Sequence, residues 1–472
     1  MRAFFAIGLF GTVLALSSPA QQQQSSCSLE LLTTPGTVSQ MFTLPGGEVR
    51  VDVTGGAEAT CGTMRVRADS ASWYKQRGAI YMFGNVDYRE ATRTLLAERA
   101  TYFQKADWVR AEGNVRFNDT AGGSSLTGPS LDYYPQNAGR PTERMFAPGR
   151  PHVTFRPMNA AGQPSEPFDV DADRVHIYGD SLLAAAGRVV VLRGDLYASG
   201  DSLDADVGRD RIWLVGNPLV KAQEMDLKGD SILVLLEEDE VSEIHAWPNG
   251  SARGRELSIT APLLHLFVEA QQIVRTVASG GEAARAEDVF ALTPYARSES
   301  PDYVLVADSI DILRPDGRLE RVIAIGRARA TTKDIILPED SLLSTDWMEG
   351  DTITGHFTAV DSAGAEASQV RLERLVAAGQ ARALYHLRDD AQSERSRRLP
   401  GVNYVIGRIV TIWLEAGEVR RAQVVGPSTG VYLEPLPVAS NGDSVTVVGD
   451  SLQAPADTIV AERRDTTGVA AR

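Results

Sequence analysis

Six histidines, His152, His176, His245, His265, His356 and His386, are the side chains best suited to proton transfer or zinc ligation, yet no two stand at the short spacing of a zinc motif. The expectation is therefore that the chain has no metal site. Asp169, Asp171 and Asp173 alternate, placing three carboxylates on one strand face as at the start of a calcium loop. Arg174 stands where that loop next needs glycine, so a solvated strand face is the simpler reading. Glu237-Glu238-Asp239-Glu240 reads as a charged turn. Trp213 and Trp247 could stack on sugars, although single aromatics on sheets more often pack. There is no Gly-x-Ser-x-Gly elbow, phosphate loop or nicotinamide fingerprint. These residues point to a protein that is not an enzyme and carries no cofactor.

The elements that hold these residues come from a unit that recurs along the chain. A small residue, an acid, a variable residue and an aliphatic are followed by a strand-like run ending in glycine. Ala68-Asp69-Ser70-Ala71 leads to Gly84-Asn85-Val86, and Ala97-Glu98-Arg99-Ala100 leads to Gly113-Asn114-Val115, so that both halves repeat after 29 residues, from 68 to 97 and from 84 to 113. The opening returns at Asp173, Asp201, Asp230, Asp308, Asp351 and Asp450, and the closing glycine at Gly187, Gly216, Gly281, Gly326, Gly379 and Gly426. Such a period means stacked units that bury their apolar faces on one another.

Around each glycine the pattern alternates. Val109, Ala111, Gly113, Val115 and Phe117 share one face of a half-buried strand, while Arg110, Glu112, Asn114 and Arg116 share the other. Beside each acid the apolar phase flips: Val66 is in step with Ala68, but after Asp173 the apolar positions are Val175 and Ile177. A one-residue slip in a period of two marks a bulge or corner. The small-acidic pair is thus where the chain turns from one wall to a facing wall, with the acid capping exposed backbone at the bend. The fold class is all-β: an elongated, two-walled β-jellyroll of repeated strand-turn-strand units in two stacked segments. One strand per unit in each wall, over about eleven units at roughly 4.8 Å each, gives a length on the order of 50 Å.

Arg2, the apolar run 3–16 and Ser18-Pro19-Ala20 have the form of a secretory signal. The expected organisation is a signal peptide over 1–20, an N-terminal roll over 21–160, further repeats over 161–456 and a disordered tail over 457–472. The Pro-rich stretch 135–167 is the candidate boundary between the segments. Export and an even cysteine count favour a disulfide between Cys27 and Cys61, the alternative being two buried thiols. A net charge of −15 argues against nucleic acid as a partner.

Alternating strands punctuated by Ala-Asp and Gly-Asn-Val behind a signal peptide resemble the OstA-like, or LptA-like, β-jellyroll of lipopolysaccharide transport. The resemblance is most specific over 66–117 and looser to about 454. It implies a protein of outer-membrane biogenesis, in the periplasm or associated with the outer membrane, that binds lipopolysaccharide or another acylated lipid in an apolar groove. It also implies edge-to-edge pairing with other jellyroll proteins of the pathway, through strands near 49–53 and 445–448. The groove would then be lined by Ile80, Met82, Val86, Val109, Val115, Phe117, Leu183, Val189, Ile212, Leu214, Val322 and Leu375. The alternatives are a narrow, fully packed interior, in a structural or adhesive β-solenoid that binds a protein or polysaccharide on its outer surface, and, more remotely, a polysaccharide-degrading β-helix.

Overall fold

The computed structural model describes residues 30–32, 35–158, 162–222, 225–238, 240–255, 257–280, 294–333, 344–360, 369–387, 401–415, 417–434 and 458–462. The described residues form 33 strands joined into one antiparallel sheet. No helix among them is long and apolar enough to cross a membrane. The signal segment, Cys27 and 445–448 lie outside the described residues.

The 29-residue unit becomes a pair of long strands. Met64–Tyr74, Ala79–Arg89, Arg93–Phe103 and Trp108–Asp119 follow one another as hairpins, each paired with the next. Every one of them bends at its middle. In the pairing of Arg93–Phe103 with Trp108–Asp119, residues 93–96 face 116–119 and residues 99–103 face 108–112. Between these stretches Ala97 and Glu98 stand opposite Gly113, Asn114 and Val115, an extra residue on one strand that kinks the ladder. The half-strands on either side belong to two facing walls. The front wall holds 49–54, 70–74, 79–83, 99–103 and 108–112; the back wall holds 57–61, 64–68, 86–89, 93–96 and 115–118.

The corner explains the repeat. Gly113 has φ +81° and Asn114 φ +45°, and the earlier copy repeats this with Gly84 at +75° and Asn85 at +44°. A Cβ on Gly113 would stand 2.5 Å from Glu98 Oε2, so the position requires glycine for space as well as for conformation. The sequence predicts that the acid caps exposed backbone at the bend, but the carboxylates here take side-chain donors instead. They accept from the side chain after the glycine: Asn85 Nδ2 donates to Asp69 at 2.9 Å, Arg188 Nε to Asp173 at 3.0 Å, and Arg327 Nε to Asp308 at 3.3 Å. The backbone is satisfied separately, with the Asp173 N–H donating to the Gly187 carbonyl at 2.8 Å and the Asp308 N–H to that of Gly326 at 2.9 Å.

Two strands per unit cross the corner, so each unit adds two strands to each wall, not one. The roll is correspondingly on the order of 100 Å long at roughly 4.8 Å per strand. In the middle the corners sharpen. Arg211–Val215 and Leu219–Ala222 are separated at Pro218, Glu240–Trp247 and Gly250–Arg253 at Pro248, and Ser258–Ala261 and Leu263–Glu269 at Pro262. Proline has no N–H to carry a ladder through the bend, so the strand breaks there. The sheet nevertheless runs on through 135–167, the front wall by Arg144–Pro148 and Arg174–Tyr178 and the back wall by His152–Phe155 and Phe168–Asp171. Long bent strands resume with Arg321–Thr332. Part of the expected disordered tail is ordered: Thr458–Glu462 pairs with Glu418–Val425.

Inward residues from both walls make one apolar core from Val51 to Val424. Phe117, Leu126, Leu131, Tyr133 and Phe155 are fully buried within it.

Candidate functional site

Of the proposed lining residues, Ile80, Met82, Val86, Val109, Val115, Phe117, Leu183, Val189, Leu214 and Val322 are buried between the walls, and Ile212 and Leu375 are half-buried against the same core. The period-two reading placed all twelve on the inner faces. Their surroundings differ. Ile80 and Met82 border an apolar cleft at the N-terminal end, lined also by Leu31, Val51, Val53, Val66, Trp73, Tyr88 and Tyr102. The cleft, including its space open to solvent, measures about 530 Å³. Leu375 borders a second cleft of about 410 Å³ near the C-terminal end, with Trp347, Met348, Tyr385 and Ile412. Between the clefts the interior is filled: Val109, Ala111, Leu131 and Tyr133 have no exposed surface. Tyr88 continues the inner face of Ile80, Met82 and Val86, whereas the bordering aromatics Trp73 and Tyr102 lie outside the glycine-centred runs, although each keeps the alternation of its own strand.

Glu58 is the charged residue among the N-terminal cleft's neighbours. Burial pushes its carboxyl up, but Arg65 and Arg67, whose Nε atoms donate at 2.5 and 3.0 Å, outweigh this and hold it below the usual carboxylate range.

Just beyond this cleft the free margins of the two walls meet. Tyr133 in the front wall donates its hydroxyl to Glu90 at the back margin at 3.0 Å, and Tyr88 in the back wall donates to the same carboxylate at 2.5 Å. Arg93 at the back margin is 2.7 Å from Glu143 at the front margin. The Tyr88 and Tyr133 rings meet edge to face at 6.2 Å, and Tyr133 lies 5.3 Å from Phe117. Burial pushes the Glu143 carboxyl up to about 7 despite Arg93, and it likewise drives the Tyr88 and Tyr133 phenols far above their ordinary value. The result is a polar clasp over an aromatic plug.

On the outer face of the front wall the fold gathers residues that the sequence left apart. His245 and His265 sit directly opposite each other on Glu240–Trp247 and Leu263–Glu269, with rings stacked at 4.0 Å. Glu243 Oε2 lies 3.2 Å from His245 Nε2 and 2.8 Å from His265 Nε2. Burial lowers the His265 pKa more than the Glu243 hydrogen bond raises it, while the two histidines hold the Glu243 carboxyl down. Trp213 and Trp247 meet edge to face at 5.6 Å beside this group. The acidic trio Asp169, Asp171 and Asp173 is divided among partners: Thr154 donates to Asp169 at 2.7 Å, His152 faces Asp171 at 3.3 Å, and Arg188 holds Asp173.

The described edges differ from the expected ones. Val49–Cys61 is paired on both sides, and the outer strands among the described residues are Glu30–Leu32 and Val38–Thr43 at one end and Thr429–Leu433 and Thr458–Glu462 at the other. Val38–Thr43 and Thr429–Leu433 expose apolar side chains: Val38 and Met41 at 53% and 66%, and Val431, Tyr432 and Leu433 at about 40%. Cys61 is disulfide-bonded. No protein-family model matches the chain, and no curated protein matches it.

Proposed function

We propose that the chain is a non-enzymatic periplasmic carrier or bridge for lipopolysaccharide or a similarly acylated lipid during outer-membrane assembly, as its resemblance to the OstA-like rolls implies. The observation that carries this reading is the apolar interior between the walls, which opens at the N-terminal end into a cleft bordered by Val51, Val53, Trp73 and Met82. Leaving a twelve-carbon acyl chain in water instead of such a lining costs on the order of 10 kcal/mol, at about 0.8 kcal/mol per methylene. In this reading cargo enters the cleft and passes between the walls when the margins part at Glu90, Arg93 and Glu143 and the filled interior gives way. The apolar outer strands Val38–Thr43 and Thr429–Leu433 suit main-chain pairing with neighbouring rolls.

Photo-crosslinking residues in place of Trp73 or Met82 should trap lipid in cells, and the purified exported chain should carry lipid detectable by mass spectrometry. A crosslinker at Arg110, on the outer face, should trap none. Equal trapping from both faces would overturn the groove.

The filled interior at Val109, Ala111 and Leu131 favours a second reading, a structural solenoid that binds a protein or polysaccharide on its outside. Under that reading the exported chain is lipid-free, and substitutions at Trp213 or Trp247 weaken partner binding while Trp73 substitutions do not.

A further inference from the structure

We propose that Glu243, His245 and His265 form a binding site for a divalent first-row transition ion of the zinc type on the outer face of the front wall. The inference is independent of what the lumen carries.

Glu243 and His245 are two positions apart on Glu240–Trp247 and therefore project from the same face, and strand register sets His265 directly across from His245. Ala246, Leu264 and Leu266 are buried on the opposite face. The stacked imidazoles turn their Nε2 atoms toward one carboxylate oxygen, at 3.2 and 2.8 Å. All three ligand atoms lie within 4.8 Å of one another. Tetrahedral zinc bound at about 2.0–2.1 Å needs its ligand atoms about 3.3 Å apart, so small side-chain rotations suffice. Two imidazole nitrogens and one carboxylate oxygen suit zinc, copper or nickel better than magnesium or calcium, and three protein ligands leave a position for water. The side chains are a quarter to a third exposed, so the ion reaches them from solvent.

The contrast with Asp119, Glu143 and Asp180 is instructive. Those carboxylates also converge, but Arg93 already lies 2.7 Å from Glu143 and supplies the positive charge. At Glu243 the nearby Arg275 is turned away into its own ion pair with Asp311, at 2.7 Å. The location gives the ion a structural task. Proline corners end both strands at the same edge, at Pro248 and Pro262, and a shared ion would add a cross-link to the ladder between Glu240–Trp247 and Leu263–Glu269 close to that edge.

The test is titration of the purified full-length mature chain, stripped with chelator, with zinc followed by calorimetry and with copper followed by tryptophan fluorescence and electron paramagnetic resonance. The expectation is one ion per chain, quenching through Trp247, whose ring lies 6.3 Å from that of His245, and hyperfine coupling from two nitrogens. Glu243→Gln and His265→Ala should each weaken zinc by roughly 10- to 100-fold or more, the range caused by losing even an orienting partner. His152→Ala, at a distant exposed histidine, should leave it unchanged. Circular dichroism checks the folds, and the copper spectrum of the unmutated chain stands if a variant fails to fold. Coupling from fewer than two nitrogens, or equal zinc affinity in the folded variants, would overturn the proposal.

Discussion

Residues 51–88 and residues 109–177 share the same alternation and the same two walls, yet one borders a cleft and the other is filled. The difference lies in the inward side chains. Ala57, Ala59, Ala68 and Ala71 stand around the cleft, while Phe117, Leu126, Leu131, Tyr133 and Phe155 occupy the filled stretch. The repeat therefore sets the walls, and side-chain volume decides whether space remains between them. The corners vary independently of this: at Gly113 the bent strand is continuous, whereas strands end at Pro218, Pro248 and Pro262, irrespective of what fills the interior.

The largest expected effect tests the filled side of this comparison. Phe117→Ala should lower stability by about 3–5 kcal/mol, as for a large buried side chain in a core that cannot collapse. Met82→Ala, beside existing space, should cost clearly less. Equal losses in denaturant unfolding would mean that the two stretches are packed alike.

Next in size is the corner. Gly113→Ala combines a positive φ with a Cβ 2.5 Å from Glu98 and should cost about 1–3 kcal/mol. Gly208→Ala, without a positive φ and 3.4 Å from its nearest neighbour, should change the unfolding midpoint little.

The clasp between cleft and plug gives a pH signature. Glu143 is held near 7 when folded, above its ordinary value of 4.5, so the folded chain binds the extra proton between those values. Its contribution to stability is therefore full below about pH 4.5 and is lost as pH rises through about 7. Glu143→Gln should flatten that part of the pH–stability curve relative to the unmutated chain. A curve unchanged by the substitution would remove Glu143 as the titrating group.

The smallest stability effect should accompany the largest functional one. Ala71→Leu places bulk in the cleft and, with space to receive it, should shift stability by less than about 1 kcal/mol while abolishing lipid crosslinking from Met82. Persistent crosslinking would move the cargo elsewhere.

Much of this fold was legible because its rules are local. Alternation through Val109, Ala111, Val115 and Phe117 identified the inner face, since side chains on a strand point to opposite sides by geometry alone. The slip between Ala68 and Ala71 located the corner, since a bulge displaces the phase of its own strand. Longer-range matters were not legible. That each unit crosses the corner twice, that the margins meet at Arg93 and Glu143, and that Val38–Thr43 covers Val49–Cys61 all depend on which strand pairs with which. An all-β chain with periodic corners and an apolar inner face follows from local pattern, because period and glycine conformation are properties of a few neighbouring residues. Where that inner face leaves a cleft, and that His265 meets His245 and Glu243, follow from assembly of the walls, because packed volume and cross-strand register exist only once distant segments are side by side.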